Sequence, residues 1–513
     1  MNLKRLRITT KDTFFKSIFN FVNSLLIFTL VFLVIAECLR NRRPRNFPPG
    51  PLALPLVGNM FSLDLRNAHR AMTEVRLSET YGKVYSLKLG STWTVVLNGL
   101  STMQEALLNK GDILNDRPVI PLHVDALPDF GIIFTNGHLW KEQRRFALFT
   151  LKYFGVGKRS LESSILNEFI YLSKEFANEK GRKPFNPHYI INKAVSNIIC
   201  SLVFGQRFDY CDEKFLKMTH LVDKVAQIEG SIWTQLYNAF PMLMKHFPGP
   251  HHTVQKIYSE ILKLLKTEID QHKKDLDPSE PRDFIDCYLN EIQKVMDSVF
   301  HEENLVTCVF DLFVAGTETT STTLRWALLY MAKYTEIQEK VQAEIDRVIG
   351  QSRQPSMEDR PKLPYTDAVI HELQRISNIV PLSLPHVTKR EVQLEGYKIP
   401  KGVTVIPNLT SVLFDKSTWE TPYTFNPGHF LNKEGKFVKQ AAFIPFSLGK
   451  RACLGENLAR MELFLFFTSF MQRFTFSMPP GMEPVFKPQA SITLKPSEYE
   501  ICITQREVCQ SRI

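Results

Sequence analysis

Apolar and polar residues follow two different periods along this chain. Apolar residues recurring every three to four positions predict amphipathic helices, and the clearest such segments are 161–178, 189–204, 253–274, 284–297, 305–333 and 336–349. Alternating and β-branched runs predict short strands within 85–97 and 396–407, and short β-like runs follow position 479. Because helices outnumber strands and no repeat divides the chain, we expect a mainly α fold with a small β region, formed as one large domain over residues 53–513.

The N-terminal segment 18–39 is mostly apolar and, at 22 residues, is about long enough to span a bilayer. A buried core helix and a cleaved signal peptide are the alternatives. Four arginines between positions 40 and 45 and the lack of a small-residue cleavage site favour a retained single-pass anchor over residues 1–45. Basic residues flank the span on both sides, so charge alone does not fix its orientation. Residues 46–52 contain Pro48-Pro49-Gly50-Pro51 and predict a stiff hinge.

Composition and charge narrow the class of protein. The 513 residues are 44 % hydrophobic and 23 % charged, which excludes a disordered, collagenous or multi-span membrane protein. The net charge of +10 suggests a nucleic-acid partner, but residues 1–45 alone carry +7 and leave +3 for the rest. We therefore assign most of the basic charge to the edges of a bilayer. No basic helix with interleaved aromatic residues supports nucleic-acid binding.

One cysteine stands in a distinctive loop. Cys453 lies in Phe446-Ser-Leu-Gly-Lys-Arg451-Ala-Cys-Leu-Gly455 and precedes an apolar helical segment, 458–474. Glycines let backbone N–H groups approach the sulfur, and a following helix presents its positive end, so both favour a thiolate. A single thiolate suits a haem iron better than zinc, which takes four ligands. A lone cysteine without such a loop is usually a buried apolar residue.

Three further motifs are ambiguous on their own. Glu372 and Arg375 have the spacing of a common helical ion pair. The glycine and hydroxyl residues around Glu318 and Thr319 can open a groove in a long helix, or can simply be tolerated there. The basic turn that contains Trp140 and its neighbours is typical of an exposed helix surface.

Together these motifs resemble those of the cytochrome P-450 family, whose haem-ligand pattern Phe-x-x-Gly-x-Arg-x-Cys-x-Gly is complete here. The resemblance extends from the hinge to the end of the chain. It implies the cytochrome P-450 fold, a single haem domain behind an N-terminal transmembrane helix. It also implies haem b with Cys453 as the axial ligand of the iron, Phe446 packed near the sulfur, and Arg451 paired with a haem propionate.

The same resemblance assigns the remaining motifs. Trp140 and Arg144, one helical turn apart, would donate to haem propionates, with Arg117 and His386 as weaker matches. Glu318 and Thr319 would form the acid–alcohol pair that relays protons during oxygen cleavage. Val314 and Ala315 would lie in the substrate pocket. Glu372 and Arg375 would form a buried structural pair, which His429 would complete at a position where the family often has arginine. Pocket-lining residues are expected in 119–134, 203–240, 380–384, 491–493 and around Val314.

The implied activity is that of a microsomal, family-2-like monooxygenase, with the J-type subfamily as the nearest resemblance. It would hydroxylate or epoxidise fatty acids such as arachidonate, or xenobiotics and steroids. Electrons would come from NADPH through NADPH–cytochrome P-450 reductase, with cytochrome b5 as a further partner and Lys141, Arg144, Arg145 and Lys450 as a docking face. The alternatives are a reductase-independent peroxide isomerase and a non-enzymatic haem carrier or sensor.

The implied location is the endoplasmic reticulum membrane, with membrane lipids around the anchor and the catalytic domain in the cytosol. The glycosylation sequon at Asn408 is then unused.

Overall fold

The computed structural model describes residues 19–29, 31–32, 35–37, 42–60, 72, 75–127, 129–179, 184–294 and 299–506. Most of the chain is helical. The helices are α1 Val75–Tyr81, α2 Leu100–Gln104, α3 Gly111–Leu114, α4 Pro121–Ala126, α5 Gly137–Tyr153, α6 Arg159–Asn178, α7 His188–Val203, α8 Glu213–Glu229, α9 Ile232–Ala239, α10 Pro241–Met244, α11 His251–Asp275, α12 Phe284–Lys294, α13 Glu302–Lys333, α14 Thr335–Val348, α15 Pro364–Ser377, α16 Thr410–Leu413 and α17 Glu456–Arg473. Shorter turns are the π-helix Glu105–Asn109 and the 3₁₀ helices Met357–Lys362 and Pro427–Phe430.

The strands form one four-stranded sheet and three two-stranded ones among the described residues. Their bounds are β1 Val84–Leu89, β2 Thr92–Leu97, β3 His386–Val387, β4 Val392–Leu394, β5 Tyr397–Ile399, β6 Thr404–Pro407, β7 Phe474–Ser477, β8 Pro488–Ala490, β9 Leu494–Pro496 and β10 Cys502–Gln505. The larger sheet has the order β1-β2-β6-β3, in which only β2 and β6 are parallel. The small sheets pair β4 with β5, β7 with β10, and β8 with β9.

Two long helices form the centre of the fold. The 32-residue helix α13 is buried over most of its length and packs against α7, α11 and α17. Gly316 permits the close approach of α7, since a Cβ atom at this position would lie 2.3 Å from Cδ1 of Ile199. Helix α17 has no separate polar face and is mostly buried, as expected for a helix largely covered by other elements. The cysteine loop therefore leads directly into the core.

The sequence predictions of secondary structure agree with this architecture. Segments 161–178, 189–204, 253–274, 305–333 and 336–349 correspond to α6, α7, α11, α13 and α14, and the mainly helical class with small sheets is confirmed. The described part of the helix predicted over 284–297 runs to Lys294, and residues 295–298 lie outside the described ones, so its end at 297 stays a prediction. The strand region 85–97 is a hairpin, because β1 and β2 pair antiparallel.

The predicted membrane span 18–39 lies partly outside the described residues. Residues 19–29 are helical, and their apolar side chains, such as Phe21 and Phe28, are exposed. In the described part of the chain, no helix combines the length and apolarity needed to cross a membrane. The division into anchor, hinge and haem domain therefore stays a prediction.

The proline-rich hinge is docked on the sheet where the structure describes it. The carbonyl of Pro49 accepts a hydrogen bond from the N–H of Ser86 at 2.7 Å, and that of Pro48 accepts one from the Ser86 hydroxyl at 2.7 Å. Gly50 lies so close to β1 that a Cβ atom would meet the Ser86 carbonyl oxygen at 1.9 Å. Residues 48–50 are thus part of the folded body rather than a free spacer.

Candidate active site

The cysteine loop is held from both sides. The backbone N–H of Cys453 donates to the carbonyl of Phe446 at 3.0 Å, which closes the loop. Nη2 of Arg144, on α5, donates to the carbonyl of Ala452 at 2.8 Å. Gly449 has φ +80°, and a Cβ atom there would lie 2.2 Å from the carbonyl oxygen of Leu107. The loop can therefore approach this carbonyl only with glycine at that position.

Cys453 lines a cavity, and its side chain is accessible from that space. Burial within the protein raises the pKa of this thiol, while the N–H of Gly455 and the nearby charge of Arg144 lower it. The sequence argument expected the glycine N–H and the following helix to favour a thiolate. The N–H contact is present, but burial has the larger effect on the pKa.

Three arginines gather beside this loop without an ion pair to any carboxylate among the described residues. Arg451 donates to the carbonyls of Asn115 and Thr135 at 2.7 and 2.5 Å, and Arg117 donates to that of Pro385 at 2.9 Å. Burial, followed by mutual repulsion, lowers the pKa of Arg117 to about 10 and that of Arg451 to about 9. The cluster is thus a concentrated positive charge within the protein.

Two buried N–H groups of this cluster have no hydrogen-bond partner within the part of the chain the structure describes: Nε1 of Trp140 and Nε of Arg117. Both residues line the cavity. His386 is buried nearby, where Nδ1 lies 2.6 Å from the carbonyl oxygen of Leu114. Burial, followed by repulsion from Arg117, lowers the pKa of His386 to about 3, so this ring is neutral.

Helix α13 supplies the opposite wall. Val314, Ala315 and Thr319 line the cavity, and the hydroxyl of Thr319 donates to the carbonyl of Ala315 at 2.8 Å. This hydrogen bond follows from helix geometry, because a threonine hydroxyl reaches the carbonyl four residues earlier. Beside the apolar residues Val314 and Ala315, the wall therefore presents the hydroxyl oxygen of Thr319 as a hydrogen-bond acceptor.

Glu318 lies next to Thr319 and is anchored from outside α13. Its Oε1 accepts hydrogen bonds from the hydroxyl of Thr493 at 2.8 Å and from Nζ of Lys495 at 3.1 Å. Burial raises the pKa of Glu318, and Lys495 opposes this effect. Sequence analysis did not indicate Lys495, which lies in a short β-like run far along the chain.

The cavity has a volume of about 380 Å³ and is mainly apolar. Each expected pocket segment contributes to its wall; examples are Phe134, Glu229, Val314, Val380 and Ile492. Four polar side chains lie among these apolar ones: His123, Glu229, Tyr258 and Asp311. Burial raises the pKa of Asp311 to about 6, although the N–H groups of Ile132 and Ile133 donate to it at 2.7 and 2.9 Å.

Glu372 and Arg375 form a doubly hydrogen-bonded pair at 2.7 Å for both contacts, and both side chains are 0 % exposed. Arg375 also donates to the carbonyls of Leu413 and Pro422. Nδ1 of His429 lies 3.2 Å from Glu372 Oε2. Because the N–H of Thr421 donates to Nε2 of His429, the proton is on Nδ1 and is donated to Glu372.

Glu462 is a cavity-lining residue that the sequence did not indicate. It lies on α17 and is 0 % exposed. Among the described residues, neither of its carboxyl oxygens has a hydrogen-bond partner. Burial raises its pKa to about 8, with Thr320 close enough to oppose the shift slightly. We expect this carboxyl group to be protonated at neutral pH.

A second cluster of possible metal ligands lies away from the cavity. His272, Asp283 and Asp286 come together, but Nε2 of His272 contacts Asp283 at 2.9 Å and Arg282 binds both oxygens of Asp286. These partners already satisfy the atoms that would coordinate an ion. We interpret the cluster as an ion-pair network.

Comparison with known proteins places this geometry in a family. The cytochrome P-450 family model matches residues 48–503. The chain is 50 % identical to cytochrome P-450 2J2 of Homo sapiens over 93 % of its own length and 95 % of the relative's. It is 48 % identical to cytochrome P-450 2J1 of Oryctolagus cuniculus and 47 % to cytochrome P-450 2J3 of Rattus norvegicus, over 94 % of this chain and 96 % of each relative. The chain therefore belongs to family 2 of the cytochromes P-450 and is a monooxygenase, an oxidoreductase.

Proposed function

We propose that this enzyme inserts one atom of O₂ into lipophilic substrates, by hydroxylation or epoxidation of fatty acids such as arachidonate, of xenobiotics or of steroids. The observation that carries the proposal is that Cys453, in the loop before α17, and Thr319, on α13, line the same largely apolar cavity. This arrangement supports the roles of Cys453 as the iron ligand and of the Thr319 hydroxyl in proton delivery. The substrate enters this space by burial of its apolar surface.

The residues around Cys453 fit haem b. Membership of the family implies a haem-thiolate cofactor, and the unpaired arginine cluster has the charge that two propionates would balance. Trp140, Arg144 and Arg117 would bind the propionates, because Trp140 and Arg117 each carry an unsatisfied buried N–H. All N–H groups of Arg451 already donate to protein acceptors. We therefore propose that Arg451 acts on the propionates mainly through its positive charge. His386, held neutral behind this cluster, would support the position of Arg117.

When bound, haem supplies the redox chemistry that activates O₂, and the protein supplies protons and exclusion of water. We assign proton delivery to Glu318 and Thr319. The Thr319 hydroxyl oxygen can accept a hydrogen bond from a cavity water while the hydroxyl itself donates to the Ala315 carbonyl. The buried Glu318 carboxylate next to it can take up and pass on protons from the cavity side. Val314 and Ala315 then shape the space in which the substrate lies.

Substrate recognition would rest mainly on apolar contact. The side chains of Phe134, Phe310, Val314 and Ile379 line the cavity, so burial of hydrocarbon drives binding. His123 and Glu229 contact each other at 3.2 Å within this wall. A polar end of the substrate, such as a carboxyl or hydroxyl group, finds its hydrogen-bonding partners there.

Electrons would come from NADPH through a reductase, with cytochrome b5 as a second donor. The contacts of the expected docking residues support a smaller docking face than the one expected from the sequence. Arg144 points inward to the cysteine loop, whereas Arg145 pairs with Glu142 and Lys450 pairs with Asp112. Lys141 and Arg145 are exposed on the same helix. We infer that Lys141, Arg145 and Lys450, not Arg144, meet an acidic partner.

We further propose that the enzyme lies on the endoplasmic reticulum membrane with its catalytic domain in the cytosol. Exposed apolar side chains at Met242, Leu243 and Phe247 are suited to contact with lipid. Asn408 is 2 % exposed and donates to Asn98 at 2.8 Å. Its sequon is therefore inaccessible in the folded domain and gives no reason to place that domain in the lumen.

The test combines a spectrum with turnover. The purified full chain, reduced and exposed to carbon monoxide, should show the red-shifted thiolate band, and NADPH with reductase should yield oxygenated arachidonate. Cys453→Ala should lose both, while Cys211→Ala, at a cysteine that does not line the cavity, should keep both. A band that survives Cys453→Ala would refute the ligand assignment. Turnover of fatty-acid hydroperoxides alone, with no NADPH-dependent product, would favour the isomerase instead.

A further inference from the structure

Lys495 places a positive charge inside the protein beside the active-site wall. Its side chain is 6 % exposed, and Nζ lies 2.6 Å from Asp223 Oδ1 and 3.1 Å from Glu318 Oε1. A buried ammonium group is strongly unfavourable unless nearby carboxylates pair with it. The three charges therefore form one unit, in which a single cation is shared by a residue of α8 and a residue of α13.

The backbone around Lys495 is fixed against α13 and the segment after α15. The indole N–H of Trp326, on α13, donates to the carbonyl of Leu494 at 2.9 Å, and the N–H of Leu494 donates to the carbonyl of Ile379 at 2.8 Å. Strand β9 also pairs with β8. The ammonium group consequently reaches Glu318 from an anchored strand, and not from a mobile surface loop.

The two oxygens of Glu318 have different surroundings. Oε1 pairs with Nζ of Lys495 and accepts hydrogen bonds from the hydroxyl of Thr493 at 2.8 Å and from that of Ser491 at 3.4 Å. Over the described residues, Oε2 has no hydrogen bond, and Glu318 lines the cavity. One oxygen is thus held by protein groups, while the other is free to meet water in the cavity.

The other charged groups near this unit can be identified element by element. Asp223 also receives Nε2 of Gln227 at 3.0 Å and lies 3.5 Å from Nε2 of His188, at the start of α7. On α17, the cavity-lining carboxyl is Glu462, whose neighbour on α13 is Thr320. Lys495 is therefore the cation that acts on Glu318, and Asp223 is the carboxylate that competes for it.

We propose that Lys495 is a positioning residue of the active site, which pairs with one oxygen of Glu318 and thereby leaves its other oxygen toward the cavity. Its consequence for turnover rests on the proton-delivery role proposed above for Glu318. Its effect on the charge of Glu318 does not depend on that role.

The test is an infrared pH titration of the Glu318 carboxyl group in the holoenzyme, with the band assigned by its loss in Glu318→Gln. Lys495→Met should raise the pH of ionisation by about one unit or more, which is a tenfold change in proton affinity. Asp223→Asn should lower that pH, because the full charge of Lys495 then acts on Glu318. Lys495→Arg should stay near the wild-type value. Arg353→Met, which breaks the Arg353–Asp359 pair away from the cavity, is the control for loss of an ion pair.

A second measurement is the fraction of NADPH electrons recovered in product rather than in hydrogen peroxide. Lys495→Met should lower this fraction several-fold, whereas Lys495→Arg should keep it near the wild-type value. An unchanged titration of Glu318 in both Lys495→Met and Asp223→Asn would overturn the proposal, even if turnover fell. A shifted titration with unchanged coupling would support the positioning by Lys495 and instead remove Glu318 from the proton-delivery role.

Discussion

The guanidinium group of Arg451 lies over the ring of Trp140, with 3.8 Å between Cζ and the ring centroid. This contact fixes the plane of the indole in the arginine cluster next to Cys453. It leaves the indole N–H buried and without a partner among the described residues. A stacked ring with one unsatisfied donor is the arrangement expected where an acceptor such as a carboxylate is to be bound.

Trp140→Phe should weaken haem retention while preserving the stack on Arg451. The loss should be about tenfold or more, since a hydrogen bond to a charged group contributes about 1.5–3 kcal/mol. The measurement is the rate of haem transfer to a scavenging globin. Trp419→Phe is the control, because its indole N–H donates to the carbonyl of Val412 at 2.9 Å. Equal rates in both variants would contradict the assignment of Trp140.

Gly449→Ala should abolish haem-loaded protein. Alanine would have to adopt the left-handed conformation that Gly449 has. Its Cβ would also lie 2.2 Å from the carbonyl oxygen of Leu107, a backbone atom that cannot rotate away. Gly435→Ala is a matched control, because Gly435 has φ +72° and nothing within 4 Å of its Cβ position. That variant should lose only about 1–2 kcal/mol of stability. If both variants retained haem equally, Gly449 would have no special role in the loop.

The sequence predicted the helices because their apolar periodicity persists over many residues, as it does through 305–333. It also predicted the loop of Cys453, whose glycines lie close together along the chain. It could not predict Lys495 or Glu462. Lys495 meets Glu318 only because β8 and β9 bring the C-terminal region against α13. Glu462 resembles a solvent-exposed polar position of a helix, but α17 is largely covered by other elements.

Glu372→Gln should strongly destabilise the protein. It would leave Arg375 as a fully buried cation without a carboxylate, with only the neutral amide oxygen of the glutamine and backbone carbonyls as acceptors, and removing one partner of such a pair costs about 3–5 kcal/mol. Thermal unfolding followed by loss of the haem absorbance measures the effect. Glu142→Gln, in the surface pair with Arg145, should cost about 0–1 kcal/mol. His429→Phe should fall between the two, because Glu372 loses one of its donors.

Glu462→Gln should stabilise the protein, and increasingly so as the pH rises. Burial raises the pKa of Glu462 to about 8, whereas an unfolded glutamate ionises near its ordinary value of 4.5. Between these two values the folded state holds a proton that the unfolded state has released, so stability falls with rising pH. Glutamine has the same shape and does not titrate, so the variant lacks this loss.

The comparison is the free energy of unfolding of wild type and Glu462→Gln at about pH 5 and pH 8, between which the wild-type value should fall by up to about 1.4 kcal/mol for each pH unit. The difference between the two proteins should be larger at the higher pH. Glu434→Gln, on an exposed loop, controls for the general effect of removing a carboxylate. A constant difference at both pH values would mean that Glu462 is ionised in the folded protein, with a cation or ordered water that compensates its burial.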